Sequence, residues 1–235
     1  MLCLANKQCR LVKFVFLFLL IGNSIYSQQK QKANYPYQLY LPDDYAKSTK
    51  QYPLVIYLHG GSQRGNDLNK LNGYGPPYLV SKGKKFPFII VSPQCPADKY
   101  WSTENWFEPL YEKLKQQYRI DSNRIYLTGI SIGGYGAYIA AMDFPDKFAA
   151  IVALCGGCND SDTSRICVLK HTPIWAFHGT ADDKIPLAET ERIVAALKKC
   201  KGNIRFTKLK NEGHGLEYLY EKKPAIYSWM LKQHK

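Results

Sequence analysis

Short continuous apolar runs recur along the chain from residue 54 onward, separated by polar and turn-forming residues. Runs of this kind, rich in β-branched and aromatic residues, are typical of parallel strands that are buried on both faces. They predict strands at 54–58, 88–91, 125–128, 151–154, 174–177 and 204–209. An alternating stretch of aromatic and polar residues at 35–42 predicts an edge strand ahead of them.

Helical patterns fill most of the intervals between these strands. In the segment 105–118, Trp106, Leu110 and Leu114 fall on one helical face, and further helices are predicted at 137–142, 187–199 and 217–231. Alternating strands and helices predict an α/β fold with a mostly parallel central sheet, flanking helices and right-handed crossovers. Loops at the carboxyl ends of the strands are then expected to hold the functional site.

Ser131 is the candidate nucleophile, because it is the central residue of a G-x-S-x-G pentapeptide between a predicted strand and a predicted helix. A sharp strand-to-helix turn leaves little room for side chains, which explains the glycines at 129 and 133. Such a turn holds the serine hydroxyl beside the positive end of the helix. The pentapeptide alone also fits a turn with a solvated serine, so the partner residues decide between the two interpretations.

A serine nucleophile needs a base, and the base needs an orienting carboxylate. In hydrolases with this serine turn, the acid and then the histidine follow the serine along the chain. His214 lies between glycines after the run 204–209 and is the predicted base, whereas His234 is the penultimate residue. Asp182 follows the strand 174–177 and is the predicted acid, with Asp183 as the alternative. Other acidic residues fall at the far end of the nucleophile helix or in a loop of uncertain course: Asp143, Asp146, Asp160 and Asp162.

The oxyanion formed in acyl transfer needs fixed hydrogen-bond donors. The backbone N–H of Ile132, the residue after the nucleophile, is one predicted donor. The loop after the strand 54–58 reads His59-Gly60-Gly61-Ser62, and its glycines allow close approach of the backbone to a substrate. We predict the Gly61 N–H as the second donor, with Ser62 as the alternative, and a structural role for His59.

These motifs, in this order, resemble the α/β-hydrolase superfamily: His59-Gly60-Gly61, Gly129-x-Ser131-x-Gly133, His178-Gly179-x-x-Asp182-x-x-Ile185-Pro186 and Gly213-His214. The segment 92–96 (SPQCP), with Trp101, is similar to single-domain carboxylesterases, feruloyl and acetyl-xylan esterases and polyhydroxybutyrate depolymerase-like proteins. The resemblance implies a Ser131–His214–Asp182 triad and ester hydrolysis through an acyl-enzyme, without metal or cofactor. Dienelactone hydrolases of the same superfamily use a cysteine nucleophile, and the serine at position 131 argues against that group.

Residues 155–173, between two predicted strands, occupy the place where many hydrolases insert a helical cap. This interval is short, so we expect an open site without a large cap domain, suited to a bulky or polymeric substrate. Tyr74, Tyr100 and Trp101 are candidate substrate-binding residues, because aromatic faces can stack on sugar rings. Simple packing is the alternative for these aromatic residues, and it is the expectation for Trp106 on its helical face.

The predicted function is that of a serine carboxylic-ester hydrolase acting on an acyl or feruloyl ester of carbohydrate. A serine peptidase of the prolyl oligopeptidase type shares the fold and the order of the triad, but the chain lacks the length for a propeller domain. A hydrolase-fold binding protein without catalysis is the other alternative, and the filled triad positions argue against it. The sequence does not indicate an oligomeric state.

The first 27 residues resemble a secretory signal. Lys7, Arg10 and Lys13 precede an unbroken apolar run at 14–21, and small polar residues follow. The run is too short for a stable bilayer-spanning helix. We expect cleavage before Gln28, an exported catalytic domain at 28–235 in the periplasm or outside the cell, and no membrane attachment after cleavage. An uncleaved interfacial anchor is the alternative.

The formal net charge of +13 falls to about +10 without residues 1–27, which hold three basic and no acidic residues. A basic surface can attract acidic polysaccharide or an anionic surface, but the lysines are scattered, and a solvated surface is the preferred interpretation. The basic clusters lack interleaved aromatic residues, so no nucleic-acid partner is predicted.

Five cysteines follow the predicted signal, and export would permit disulfides. Cys155 and Cys158 form a C-x-x-C pair, but no second pair follows at metal-ligand spacing, so no zinc site is predicted. The short interval between Cys158 and Cys167 suggests a bridge that closes a surface loop.

Overall fold

A computed structural model describes residues 30–235, in which seven strands form one sheet of order β1-β3-β2-β4-β5-β6-β7. Only the edge strand β1 runs antiparallel, to β3, and the other neighbouring strands are parallel. The predicted α/β fold with a mostly parallel sheet is therefore confirmed. The strands are β1 (Tyr37–Tyr40), β2 (Tyr52–Leu58), β3 (Ile89–Pro93), β4 (Ile120–Ile130), β5 (Ala150–Leu154), β6 (Ile174–Gly179) and β7 (Ile204–Leu209).

Helices cover both faces of the sheet. They are α1 (Gly75–Ser81), α2 (Phe107–Gln117), α3 (Ile132–Asp143), α4 (Asp160–Arg165), α5 (Leu187–Lys199), α6 (Leu219–Lys222) and α7 (Ala225–Leu231). The single helix predicted at 217–231 is wrong, since α6 ends before Pro224 and α7 begins after it. Lys223 has φ −123° and ψ 72°, because a following proline disfavours the helical conformation.

Strand β2 shows why its apolar run is continuous. Leu54, Ile56 and Leu58 pack into the core on the α2 and α3 side of the sheet, whereas Val55 and Tyr57 pack into the core on the α7 side. All of these side chains are fully buried. A strand whose two faces are both covered needs apolar residues at every position.

The interval between β5 and β6 holds only α4 and a single 3-10 segment, Ile166–Leu169. The site is therefore not covered by a large cap domain, as predicted. Within residues 30–235, no helix combines the length and apolar character needed to cross a membrane. The predicted signal segment, 1–27, lies outside the described residues.

The disulfide joins Cys167 to Cys200, across a Cα–Cα distance of 6.0 Å, and the expected Cys158–Cys167 pairing is wrong. Cys158 is fully buried and its thiol is free. It lies shortly after the end of β5 and packs in the hydrophobic core, not in a surface loop. Cys167 lies in the 3-10 segment that packs against α5, and Cys200 directly follows the end of that helix.

Candidate active site

Ser131 lies at the sharp turn between β4 and α3. Its φ of 57° and ψ of −125° are rare for a residue with a side chain. The flanking glycines explain how the chain reaches this turn. A Cβ atom on Gly129 would overlap the backbone of Gly133, and one on Gly133 would overlap the carbonyl of Leu58. The turn therefore requires glycine on both sides of the serine.

A continuous hydrogen-bonded chain links the three predicted triad residues. His214 Nε2 lies 2.9 Å from Ser131 Oγ, and His214 Nδ1 lies 2.8 Å from Asp182 Oδ2. The side chain of Asp182 is fully buried, while that of His214 remains 26% exposed. A neutral imidazole that donates from Nδ1 to Asp182 can accept the serine proton at Nε2.

The turn after β7 brings His214 to this position. The Ala181 N–H donates to the Glu212 carbonyl at 2.9 Å, and the Asn211 N–H donates to Thr180 Oγ1 at 2.9 Å. A Cβ atom on Gly179 would overlap the Glu212 carbonyl. The loops after β6 and β7 therefore lie backbone against backbone, and this contact sets the histidine beside the aspartate.

Asp182, and not Asp183, faces the histidine. Asp182 Oδ1 accepts the N–H groups of Lys184 and Ile185, each at 2.9 Å. Burial raises the pKa of Asp182, but the hydrogen bonds from Ile185, His214 and Lys184 outweigh it and lower the pKa overall. The side chain of Asp183 is 71% exposed and pairs with Lys184. His234, the other candidate base, is exposed in the carboxyl-terminal tail.

A second histidine, His178, contacts Asp182 from the core. Its fully buried ring places Nε2 3.3 Å from Asp182 Oδ2 and 2.9 Å from the Ile185 carbonyl. Both neighbours accept hydrogen bonds, so Nε2 is the atom that donates to them. Nδ1 lies 2.7 Å from Thr190 Oγ1 on α5, and that hydroxyl lies 2.7 Å from the Gly156 carbonyl. The sequence showed His178 only as a motif residue.

The two backbone amides predicted to bind the oxyanion each stand at the start of a helical segment. Ile132 is the first residue of α3 and Gly61 the first of the 3-10 turn Gly61–Gln63, so neither N–H has a partner within its own helix. In the described part of the chain, neither amide donates to another group. The Gly60 N–H, by contrast, donates to the Tyr74 hydroxyl at 3.1 Å. This leaves the predicted pair of amides open.

Hydrogen bonds of His59 connect the loop after β2, which holds Gly61, to the loop after β3. Its Nε2 accepts the Cys95 N–H at 3.0 Å, and its Nδ1 donates to the Gly60 carbonyl at 2.7 Å. Trp101 Nε1 donates to the His59 carbonyl at 3.1 Å. Burial lowers the pKa of His59 to about 4. The ring is therefore neutral near pH 7, as its acceptor role at Nε2 requires.

The three aromatic residues predicted to bind substrate occupy different environments. Trp101 is 2% exposed and packs edge-on against Trp106, so it has no open face for a sugar ring. Tyr100 is 53% exposed, with the Arg64 guanidinium 4.8 Å above its ring. Tyr74 is partly buried, and besides the Gly60 N–H its hydroxyl lies 3.3 Å from Ser62 Oγ. The three rings do not form the exposed platform that we expected.

A cavity of about 630 Å³ lies beside Ile132. Its apolar base comes from α3, and α4 and α5 provide charged and polar residues, among them Asp160, Glu189 and Arg192. Glu189 and Arg192 are not distinguishable from the sequence, because charged residues on an amphipathic helix resemble a solvated surface. No sequence pattern distinguishes the charges of α5 that face the cavity from those that face solvent.

Cys155, Asp182 and His214 bring potential metal-ligand atoms within 4.8 Å of one another. These atoms do not fit a metal centre, because His214 Nδ1 already bonds to Asp182. Burial also raises the pKa of the Cys155 thiol to about 12, whereas a metal binds the thiolate. The thiol instead lies 3.6 Å from the His214 carbonyl, to which it donates.

The fold and this arrangement define a hydrolase with a serine turn. The phospholipase/carboxylesterase family matches residues 102–220, about half of the chain. The chain belongs to this family, and the predicted resemblance to α/β-hydrolases of the carboxylesterase group is confirmed.

Individual relatives carry more specific names. The chain is 29% identical over 170 residues to a bifunctional acetylxylan esterase/xylanase of Neocallimastix patriciarum, over 70% of this chain and 24% of that one. It is 29% identical over 162 residues to a probable feruloyl esterase C of Aspergillus terreus, over 64% and 56% of the two chains. A solved thermostable esterase matches with a TM-score of 0.69 and 33% identity, over 85% of this chain and 59% of that one. The chain thus spans less than two thirds of each of these relatives.

Proposed function

We propose that this protein is a serine carboxylic-ester hydrolase that acts on acyl or feruloyl esters of carbohydrate through an acyl-enzyme. The observation that carries the proposal is the unbroken chain from Ser131 Oγ through His214 to Asp182. The membership of the phospholipase/carboxylesterase family supports the ester class. The relatives described as acetylxylan and feruloyl esterases support a carbohydrate ester as substrate.

In the proposed reaction, Ser131 Oγ attacks the ester carbonyl while His214 Nε2 takes the hydroxyl proton. The buried Asp182 carboxylate stabilises the imidazolium that forms. The N–H groups of Ile132 and Gly61 donate to the oxyanion of the tetrahedral intermediate. His214 then returns the proton to the leaving alcohol oxygen, which leaves the acyl group on Ser131. A water molecule, deprotonated by His214, attacks the acyl-enzyme, and His214 returns this proton to Ser131 Oγ as the acid is released.

Export is part of the proposal. The basic and apolar pattern at 7–21 supports a secretory signal. The Cys167–Cys200 disulfide supports an oxidising compartment such as the periplasm or the outside of the cell. Fractionation of the producing cell and amino-terminal sequencing of the exported protein would test both parts, with Gln28 as the expected first residue.

The experiment that tests the activity measures initial rates for the wild type, Ser131→Ala and the surface control Ser228→Ala. The substrates are 4-nitrophenyl acetate, methyl ferulate, acetylated xylan and a prolyl 4-nitroanilide. We expect ester hydrolysis to fall on the order of 10⁴-fold or more in Ser131→Ala and to persist in Ser228→Ala. Mass spectrometry of a quenched reaction should show an acyl group on Ser131. Cleavage of the anilide alone would favour the peptidase, and inactivity of a folded wild type on every substrate would overturn the proposal.

A further inference from the structure

The cavity beside Ile132 is placed to receive a group attached to the scissile ester. Ile132 lines the cavity, and the same residue carries one of the two proposed oxyanion amides. The volume of about 630 Å³ lies within the range of small-molecule binding sites, roughly 300–1,000 Å³. An acetyl group would leave most of this space empty, so the cavity fits a larger part of the substrate.

The base of the cavity, the part of its lining that α3 contributes, is largely apolar. Ile132, Gly136 and Ile139 line it from α3, and Trp101 contributes to the same lining. A Cβ atom on Gly136 would overlap the side chain of Trp101, so the glycine allows the indole to pack directly on the helix. The C–H face of a sugar ring can be buried against such a surface through the hydrophobic effect.

One wall of the cavity presents a fixed hydrogen-bond acceptor. Glu189 Oε2 accepts Arg192 Nη2 at 2.7 Å and the Tyr135 hydroxyl at 3.4 Å. Arg192 Nη2 also donates to the Cys158 carbonyl at 2.5 Å, which anchors the pair to the loop after β5. These contacts hold the carboxylate in place and leave Glu189 Oε1 for a ligand hydroxyl.

The loop after β5, beside this acceptor, presents a donor. Asn159 Oδ1 caps α4 by accepting the Asp162 N–H at 2.8 Å and also accepts the Ser161 hydroxyl at 2.8 Å. Because Oδ1 is occupied, the amide nitrogen of Asn159 is the group left for a ligand. A polyhydroxylated ring offers hydroxyls that both donate and accept, and so matches a lining that holds a donor beside an acceptor.

The charge of the cavity differs from that of the whole chain. Its lining contains three carboxylates, Asp160, Asp162 and Glu189, against one guanidinium, Arg192, whereas the chain carries a formal charge of +13. Arg165 pairs with Asp162 at 3.7 Å, which leaves an excess of one carboxylate, and a carboxylate or phosphate on the ligand would meet this negative charge at close range. The cavity therefore fits a neutral ring better than an acidic one.

We propose that this cavity binds the neutral glycosyl ring of the alcohol part of the ester, held by hydrogen bonds to Asn159 and Glu189 and packed on the apolar base of α3. This inference rests on the proposed ester hydrolysis and names the part of the substrate that is recognised. A hydroxycinnamoyl ring on the acyl side is the alternative occupant.

The test compares kcat/KM for an acetylated methyl β-xylopyranoside with kcat/KM for 4-nitrophenyl acetate, as a ratio. We expect Glu189→Gln to lower this ratio about 10-fold, as for loss of a hydrogen bond to a charged group. Asn159→Asp keeps the oxygen that caps α4 but removes the donor, and should lower the ratio as well. Glu191→Gln is the matched control, since Glu191 lies on the same helix and pairs outward with Lys208 at 2.6 Å.

A charged substrate provides a second measurement. The wild type should prefer the neutral xyloside ester over the corresponding acetylated glucuronide, and Glu189→Gln should narrow that preference about 5-fold. Ratios in Glu189→Gln and Asn159→Asp equal to those in Glu191→Gln would overturn the proposal. A change in the ratio of kcat/KM for methyl ferulate to kcat/KM for 4-nitrophenyl acetate, with the ratio for the sugar ester unchanged, would show that the cavity binds the acyl part of the ester. That result would also overturn the proposal.

Direct binding separates this inference from the proposed function. In NMR titrations of Ser131→Ala with xylotriose, we expect saturable shifts of the amides near Ile132 and Glu189, absent with a trimer of glucuronic acid. Binding without ester hydrolysis by the wild type would support the cavity and refute the proposed function. Hydrolysis without such binding and without altered ratios would refute the cavity alone.

Discussion

The two sides of the candidate site are held together by different kinds of contact. Around Ser131, backbone meets backbone, as Gly133 lies against Leu58 and Gly179 against Glu212. Around the cavity, side chains hold side chains, as Arg192 and Glu189 form an ion pair whose members are 37% and 24% exposed. Backbone contacts require particular residue types at fixed spacing, whereas an ion pair on a helix can be replaced by other polar pairs. The same backbone arrangement around Ser131 can therefore be combined with different substrate-binding surfaces.

Removal of a single charge should have its largest effect at the triad and a much smaller effect at the cavity. Asp182→Asn should lower kcat for 4-nitrophenyl acetate on the order of 10⁴-fold, because the amide favours the wrong histidine tautomer. Asp183→Asn is the matched control and should change kcat less than about 2-fold, since Asp183 is exposed and contacts Lys184. Stopped assays at fixed pH would measure both. Equal losses in the two variants would contradict the proposed role of Asp182, and the charges of the cavity should produce no effect of this size.

Packing should show the same contrast. Gly133→Ala places a methyl group on the Leu58 carbonyl, and we expect a loss of about 3 kcal/mol or more in the free energy of unfolding. Gly61→Ala is the control for stability, because a Cβ atom there meets nothing within 4 Å. Urea unfolding monitored by circular dichroism would compare the two. Similar midpoints would show that the serine turn relaxes and is less rigid than its contacts indicate.

This contrast explains what could be predicted from the sequence. The serine turn, the aspartate and the histidine were predictable, because a tight turn at a strand end permits few residues. Helix α5 was predicted at its observed bounds, but the side of it that carries Glu189 was not, because many helix faces carry charge. The break at Pro224 follows from local chemistry, because a proline disfavours the helical conformation of the residue before it. The Cys167–Cys200 pairing depends on the packing of a 3-10 segment against α5, which cysteine spacing does not encode.

We expect acid to destabilise the fold first on the side of the triad, where His59 is buried. The pKa of His59 is lowered to about 4 by burial, so between about pH 6.5 and pH 4 the unfolded chain binds a proton there that the folded protein does not. This contribution to stability is complete above that window and is lost as the pH falls, by roughly 3 kcal/mol in total. Unfolding free energies of the wild type and His59→Gln from pH 7 to pH 4 would measure it. If the unfolding free energies of the two proteins changed equally with pH, this would contradict the lowered pKa of His59.

His178 contacts both Asp182 of the triad and helix α5, which lines the cavity. Its variants therefore test whether the triad and the cavity act independently. Its Nε2–H lies between Asp182 Oδ2 and the Ile185 carbonyl, while Nδ1 contacts Thr190, the residue after Glu189 on α5. We expect His178→Ala to lower kcat about 10-fold through loss of a hydrogen bond to a carboxylate. KM for 4-nitrophenyl acetate should stay nearly constant, because the ring acts through Asp182 and not on the substrate.

Two further variants separate positioning by His178 from a general loss of packing. His178→Gln retains a side-chain N–H donor and should recover part of the lost kcat. Thr190→Val keeps the volume of the threonine but removes the hydroxyl that lies between His178 and the Gly156 carbonyl, and should cause a smaller loss of kcat than His178→Ala. If Thr190→Val also lowers the ratio of sugar ester to nitrophenyl ester, the link through α5 couples catalysis to recognition. If it lowers kcat alone, the cavity and the triad share a helix but not a mechanism, which is the outcome that the separate contacts of Glu189 and Thr190 lead us to expect.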